Sequence, residues 1–480
     1  MRTPDAVVVG SGPNGLAAAV TLARAGMTVE VYEGAGTPGG GCRTAELTLP
    51  DFRHDVCSSV HPLLATSPFF RSVDLAARSV ELVSAPIAFA HPLGGGACAV
   101  VESVDRTADG LGVDGSAYRL LFGPLVRDSA SIVPTVLAPL RSLPRHPVAM
   151  ARFARAGVLP LRRLADRFAT REARAVLAGA AAHSGLPLDA PLTGAYAILL
   201  VMLAHDVGWP VVRGGSAAIV DALVAELESL GSRIVTGRWI RSLADLPAVE
   251  VTLLDVSPHA LAEIGGARMP ARERRALDRV RHGPGVCKVD WALSGPVPWA
   301  AQACRETPTV HVGGTLEEIA TSESEVAGGR HAERPFCIVV QPGVVDRSRA
   351  PGGQQTLWAY CHVPSGSGVD MAARMEAQIE RFAPGFRDLV IARRTTTAAS
   401  SAHHNPNRVG GDITGGAATL RQTVCRPTAR WNPYATGIDG VYLCSASTPP
   451  GGGVHGMCGF LAATAALADV RRTGRGTRDR

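Results

Sequence analysis

The sequence predicts an α/β protein in which strand–turn–helix signals recur at both ends and in the middle of the chain, separated by a long helix-rich stretch. Three observations predict it. An apolar run at the N-terminus leads into a glycine turn and a helix of small residues. After residue 75 a long Ala-, Leu-, Arg- and Pro-rich region with helix-like spacing takes over. Strand, turn and helix signals then return in the middle of the chain and at its C-terminal end.

The first element is the strand Ala6-Val7-Val8-Val9, followed by Gly10-Ser11-Gly12-Pro13-Asn14-Gly15 and an Ala/Leu-rich helix ending at Gly26. The glycines divide the work. Gly10 makes the tight turn, Gly12 lets a pyrophosphate approach the backbone, and Gly15 lets the helix lie close to the sheet. Pro13 and Asn14 open the helix, whose free N–H groups face the same anion. A second strand over residues 28–33 ends on Glu33, which places a carboxylate where an adenosine ribose offers its 2'-hydroxyl and argues against a 2'-phosphate. The expected unit is Rossmann-like.

The next loop, Gly39-Gly40-Gly41-Cys42-Arg43-Thr44, adds backbone amides and a guanidinium beside the same pyrophosphate. It resembles the GG-x-x-R-T element of the FAD-dependent family that includes amine oxidases and phytoene desaturases. The resemblance implies FAD as cofactor, with Gly39, Gly40, Gly41, Arg43 and Thr44 at its diphosphate.

In the middle of the chain, residues 117–137 and 161–182 carry helix-like apolar spacing broken by Pro144, Pro147 and Pro160, and are read as a cap over the substrate. Trp209-Pro210-Val211-Val212-Arg213-Gly214-Gly215-Ser216 then opens an amphipathic helix that runs to Leu230. Gly231 ends it, and a strand follows over residues 233–236. This resembles the return to the FAD domain in phytoene desaturases, and the resemblance also implies Ile240 at the cofactor.

At the C-terminal end, Gly440-Val441-Tyr442-Leu443-Cys444 reads as a strand, residues 445–453 as a loop, and residues 456–468 as a helix. In the family this part completes the cofactor site, which implies roles for Ser445, Gly452, Gly453 and Val454. The helix N–H groups would face the flavin's pyrimidine edge, where reduction creates negative charge. Gly451, Gly453 and Gly456 form a second GxGxxG. Only 480 − 456 = 24 residues remain after it, too few for the rest of a βαβ unit. Many relatives carry Gly-Asp or Gly-Ala where this chain has Ser445-Ala446, so backbone contacts replace an acidic one there.

With Gly283-Pro284-Gly285-Val286-Cys287-Lys288-Val289-Asp290-Trp291 added, the chain resembles the phytoene-desaturase-related FAD oxidoreductases of the flavin amine oxidase superfamily along nearly its whole length. The implied architecture is a discontinuous Rossmann-like FAD-binding domain over residues 1–75, 206–289 and 405–480. An α+β substrate domain is inserted as residues 76–205 and 290–404, with mainly aliphatic cavity walls.

Composition fits a globular enzyme, since 480 residues at 46% hydrophobic content bury a large core. The N-terminus enters the first strand with no basic n-region or cleavage site, so the expected location is cytoplasmic. The longest apolar stretch, residues 195–204, falls short of the roughly 20 residues a spanning helix needs. Ten cysteines include no C-x-x-C pair and read as reduced, buried groups. The net charge of +6 comes from dispersed arginines rather than a nucleic-acid stripe. The only dense run, residues 471–480, reads as a solvated tail, with peripheral contact to acidic lipid as the alternative.

Lys288 is the sole lysine among 48 basic residues. Its spacing to Pro298-Trp299 is similar to the amine-oxidase segment whose lysine holds a water beside flavin N5. An amine can lose its proton when desolvated, whereas a guanidinium stays charged. A lysine surviving by chance on a surface strand is the competing reading. His455, at the proposed flavin edge, and His61, after the Phe52-to-Ser59 segment expected to line the isoalloxazine, are further proton-transfer candidates, weighed against ordinary packing roles. His403-His404 lacks a third ligand, and no metal site is expected.

The expected activity is a dehydrogenase or desaturase taking a hydride from a largely apolar small molecule, isoprenoid or lipid-like, onto N5. The electron acceptor (oxygen, quinone or NAD(P)) and the oligomeric state stay open. An amine oxidase, a redox-neutral isomerase and a non-catalytic FAD-binding protein are the alternatives. The amine oxidase is opposed by Pro449-Pro450-Gly451 where those enzymes place a cage tyrosine.

Overall fold

A computed structural model describes residues 3–140 and 143–473. Two sheets organise it. The first is parallel and five-stranded, from β1 (Ala6–Val9), β2 (Val29–Tyr32), β9 (Arg233–Val235), β10 (Val251–Leu254) and β16 (Val441–Leu443), in the order β16-β10-β1-β2-β9. Three distant stretches of chain therefore supply one sheet. Its strands are short and apolar because helices cover them. Helix Pro13–Arg24 packs against helix Met457–Thr473, which joins the first and last stretches. The approach is close: a Cβ on Gly459 would lie 1.8 Å from the Asn14 carbonyl oxygen.

The second sheet has seven strands: β6 (Phe89–Gly94), β7 (Ala97–Val101), β11 (Gly285–Leu293), β12 (Thr309–Val312), β13 (Cys337–Val340), β14 (Gln355–Val363) and β15 (Val390–Thr396), ordered β15-β11-β14-β13-β12-β6-β7. β11 shows how it is placed. Cys287, Val289 and Trp291 enter an apolar cluster with helix Ala372–Phe382, and the Trp291 indole donates to Glu376 at 3.0 Å. Val286, Lys288 and Asp290 alternate onto the opposite face. Two small antiparallel ladders stand apart from these sheets: β3 (Thr44–Glu46) with β4 (Arg53–Asp55), and β5 (Leu82–Val83) with β8 (Val211–Val212).

Several boundaries depart from the sequence reading. The region after residue 75 is not purely helical, since β5, β6 and β7 precede its helices. Pro92 and His91 inside β6 hide it as a strand. The expected helix over residues 117–137 is two, Gly115–Arg127 and Ser129–Val136, and residues 161–182 hold Leu161–Ala165 and Arg171–Ala182. No helix among the described residues is long and apolar enough to cross a membrane. Residues 474–480 of the basic tail lie outside the described residues; Arg471 and Arg472 end the last helix.

Candidate active site

The crevice at the carboxyl ends of β1 and β10 is where the strand order reverses, the usual ligand position in such sheets. Gly10 sits at φ +96°, and a Cβ on Gly15 would lie 2.1 Å from the Gly10 carbonyl oxygen, so the turn and the first helix close on each other without side chains. Pro13 opens the helix, and Asn14 is buried with Oδ1 unpartnered. Glu33, just past β2, accepts from Ser11 N (3.0 Å), Ser11 Oγ (2.5 Å) and Ala35 N (2.8 Å), which fixes its carboxylate at the rim.

The second glycine loop lies against the first. Gly40, at φ +54°, would bring a Cβ within 2.8 Å of Gly12 Cα, and Gly39 is covered by the Arg43 side chain. Arg43 Nη2 donates to the Thr37 carbonyl at 2.7 Å, while its buried Nε has no partner. An orphaned guanidinium nitrogen beside two touching glycine loops fits a diphosphate, since buried donors are otherwise paired. The Gly41 carbonyl serves the local turn, accepting from Ser58 N at 3.1 Å. Thr44 turns away: its hydroxyl donates to Asp55 at 2.9 Å and accepts from Ala217 N at 3.2 Å.

Two residues here were not singled out from sequence. Asp255, after β10, accepts from Gly15 N at 2.9 Å, and burial, reinforced by the charge of Glu33, pushes its carboxyl up to about 7 despite that bond. Trp239 lies across Gly34, where a Cβ would meet its ring at 2.2 Å, leaving the half-exposed indole beside the Glu33 rim. Ile240 is buried with Tyr32, Leu254 and Val256 at the strand ends. A tryptophan before an isoleucine carries no motif, and Asp255 lies 240 residues from the helix it caps, so neither was legible locally.

The C-terminal loop closes the other end. Ser445 Oγ accepts from Ser447 N at 3.3 Å. A Cβ on Gly452 would meet Thr414 Cα at 2.8 Å, one on Gly453 would meet Leu63 at 2.8 Å, and Val454 packs on the main core. His455 is enclosed in its own turn. Its Nε2 faces the Gly451 carbonyl at 3.1 Å, Met457 N donates to Nδ1 at 3.0 Å, and burial lowers its pKa to about 4. Both nitrogens serve the start of the last helix.

His61 is different. Both ring nitrogens are buried and unpartnered, and burial lowers its pKa to about 4, against the pull of Asp55 and with the push of Arg349. It is therefore a neutral imidazole with both positions unused.

Lys288 is buried, on the face of β11 that looks toward the N-terminal hairpin. It lines a void of about 30 Å³ with Val56, Cys57, Tyr360, Ser401 and Ile413, among others. Its Nζ is ion-paired with Asp290 and lies 5.1 Å from the Trp358 ring centroid. Asp290 in turn stands 3.5 Å from His54 Nδ1, and His54 Nε2 contacts Thr48 Oγ1 at 2.8 Å. The sequence isolates the lysine but not this chain of partners, because the pairing depends on strand register. A larger recess of about 390 Å³, lined by Asp346, Arg349 and Thr356 among others, contains none of the expected site residues. Among the described residues no His/Cys/Asp/Glu group suits a metal.

The description NAD(P)-binding Rossmann-like domain matches residues 8–73. The chain is 24% identical to pyridine nucleotide-disulfide oxidoreductase domain-containing protein 2 of Mus musculus, over 97% of this chain and 94% of that protein. An oxidoreductase from Methanosarcina mazei superposes with a TM-score of 0.62 at 15% identity, covering 96% of this chain and 99% of that one. Cyclohexylamine oxidase from Brevibacterium oxydans superposes with a TM-score of 0.61 at 14% identity, covering 98% and 100%. With an N-terminal Rossmann-like unit and superposition over nearly its whole length, the chain shares the fold of these solved oxidoreductases.

Proposed function

We propose that the protein is an FAD-dependent oxidoreductase that takes a hydride from a carbon of a small, largely apolar substrate. The observation that carries the reading is the unpartnered Arg43 Nε at the junction of two glycine loops, with Glu33 held at the adjoining rim. Bound there, FAD would supply the two-electron acceptor. Glu33 would accept from the ribose, and Arg43 with the Asn14 N–H at the start of helix Pro13–Arg24 would hold the diphosphate. Gly452, Gly453 and the start of the last helix would bound the ring at its other end.

The chain's own contribution to the chemistry is positioning and exclusion of water. Val56, Val286, Tyr360 and Ile413 give the Lys288 void its apolar lining, and Lys288 supplies a primary amine there. Asp290 holds that amine against the face of the Trp358 ring. His61 offers a neutral imidazole able to accept a proton. A second reading, oxidation of an amine, is favoured by the same buried lysine and by the shared fold of cyclohexylamine oxidase.

Anaerobic mixing of the purified protein with isoprenoid alcohols, fatty acyl compounds and an amine panel, followed at the flavin absorbance, separates the two. Bleaching by an apolar non-amine supports the proposal, bleaching by amines alone supports the second reading, and no bleaching by any class contradicts both. Lys288→Met should retain FAD and slow flavin reduction or reoxidation about tenfold or more, within the range of a positioned proton-transfer group. Wild-type rates in both half-reactions would remove Lys288 from the chemistry.

A further inference from the structure

Arg426 is the least explained charge in the molecule. It is 8% exposed, its Nε is buried without a partner, and no carboxylate among the described residues lies within ion-pair distance of it. Among the described residues, its side-chain hydrogen bond runs from Nη2 to the Gly416 carbonyl at 2.8 Å. Asp412, which acts on Tyr196 together with Arg426, is already taken. Its oxygens accept from Gly283 N (2.9 Å), Thr414 N (2.7 Å) and Thr414 Oγ1 (2.6 Å), and stand 3.4 Å from His282 Nδ1. Removing a guanidinium from water is costly unless an anion compensates it.

The position of this cation says which anion. A Cβ on Gly451 would lie 2.3 Å from Arg426 Nη1, so the guanidinium is pressed against the glycine loop that opens helix Met457–Thr473. That loop holds Gly451 and Gly453 at φ +118° and +131°, bringing bare backbone to its surface. A buried cation and the N-terminal end of a 17-residue helix thus converge on one place, and both favour negative charge.

We propose that Arg426, beside the start of helix Met457–Thr473, is the cation that compensates the charge the flavin gains on reduction. The inference rests on the FAD reading above. In the balanced step the substrate C–H bond breaks, and its electron pair and hydrogen pass as hydride to N5. The substrate's second hydrogen leaves as a proton, and the flavin ring acquires one negative charge. Oxidised flavin is neutral, so the site would be undercompensated before reduction and compensated after it, which drives the flavin toward its reduced form.

The test uses the FAD-loaded wild type, Arg426→Met, Arg426→Gln and Arg426→Lys, with two readouts that need no substrate: the midpoint potential against a reference dye, and affinity for sulfite, which adds to N5 and leaves the same negative charge on the ring. Met and Gln should weaken sulfite binding at least tenfold and shift the reduced-to-oxidised ratio by a similar factor, about 30 mV for a two-electron couple. Lys should recover most of both. Unchanged potential and sulfite affinity in either neutral variant would overturn the proposal.

Where the neutral variants do not fold, benzoate titration of wild type and Arg426→Lys decides. A wild-type flavin spectrum perturbed by benzoate, with the perturbation lost in Lys, would assign Arg426 to a substrate carboxylate and overturn the proposal; an unperturbed spectrum supports a site closed by the cofactor. A wild type that holds no FAD defeats the functional reading as well, whereas FAD binding with an indifferent Arg426 defeats this inference alone.

Discussion

Asp255 is a half-buried carboxyl at the floor of the crevice, facing Gly15 N, Glu33, Cys444 and Cys458. Its folded pKa of about 7 is above the unfolded value near 3.9, so between those values the folded protein holds a proton that the unfolded chain has released. Its contribution to stability is complete below about pH 4 and is lost as pH rises through 7. Asp255→Asn keeps an acceptor for Gly15 and removes the titration. Thermal unfolding of both proteins from pH 5 to 8 should show the variant gaining on wild type as pH rises, by roughly 3 °C or more at pH 8. Parallel curves would show that Asp255 does not titrate in this window.

The residues that the sequence singles out are those marked by local spacing or rarity: the glycines of residues 10–15 and 39–41, Glu33 at a strand end, and Lys288 by its uniqueness. Asp255, Asp290 and Arg426 were not legible. Each matters through a partner 2 to 240 positions away that only strand register or loop packing brings near, and Arg426 is one of 47 arginines.

At the scale of elements, helix Arg171–Ala182 shows why its alanines and glycine are small. It packs on the seven-stranded sheet over His91 and His311, and a Cβ on Gly179 would lie 2.9 Å and 2.8 Å from their Nδ1 atoms. His183, at the helix end, meets His311 Nε2 to Nε2 at 3.0 Å. Burial lowers His91 to about 4 and His183 to about 3, and holds His311 far below its ordinary value. These imidazoles are neutral in the fold, so their stability contribution is lost as pH falls from about 6.5 toward 4, the opposite slope to Asp255. Gly179→Ala should destabilise by about 1–3 kcal/mol through overpacking, read as a lower denaturation midpoint. A midpoint at or above wild type would mean the rings yield freely. The sequence marked this helix by its apolar spacing, but the strands beneath it were obscured because a proline and a histidine interrupt β6.

At the scale of the whole molecule, one buried arginine ties the two sheets' loops together. Arg349 donates to Asp346 (2.8 Å), Asp55 (3.2 Å) and the Val212 carbonyl (2.9 Å), while Asp55 also accepts from Ser216 N at 2.8 Å. Burial alone would raise the Asp55 carboxyl, but Arg349 and these hydrogen bonds hold it below its ordinary value. The N-terminal hairpin, the strand before helix Ala217–Ser229 and the second half of the seven-stranded domain meet at this point. Arg349→Met would leave two buried carboxylates uncompensated and should cost about 3–5 kcal/mol, measured by denaturant unfolding. A loss under about 1 kcal/mol would show that the domains hold together without it.

The central claim, that the assembled crevice is an FAD site, is tested most directly by releasing the bound nucleotide from purified protein and identifying it by chromatography, then titrating the emptied protein with FAD, FMN and NAD. The account predicts FAD released at close to one per chain, and FAD rebinding that is weakened at least tenfold when Arg43→Ala removes the orphaned guanidinium at the diphosphate. FMN or NAD as the bound species, or a protein that neither carries nor takes up FAD, would contradict it.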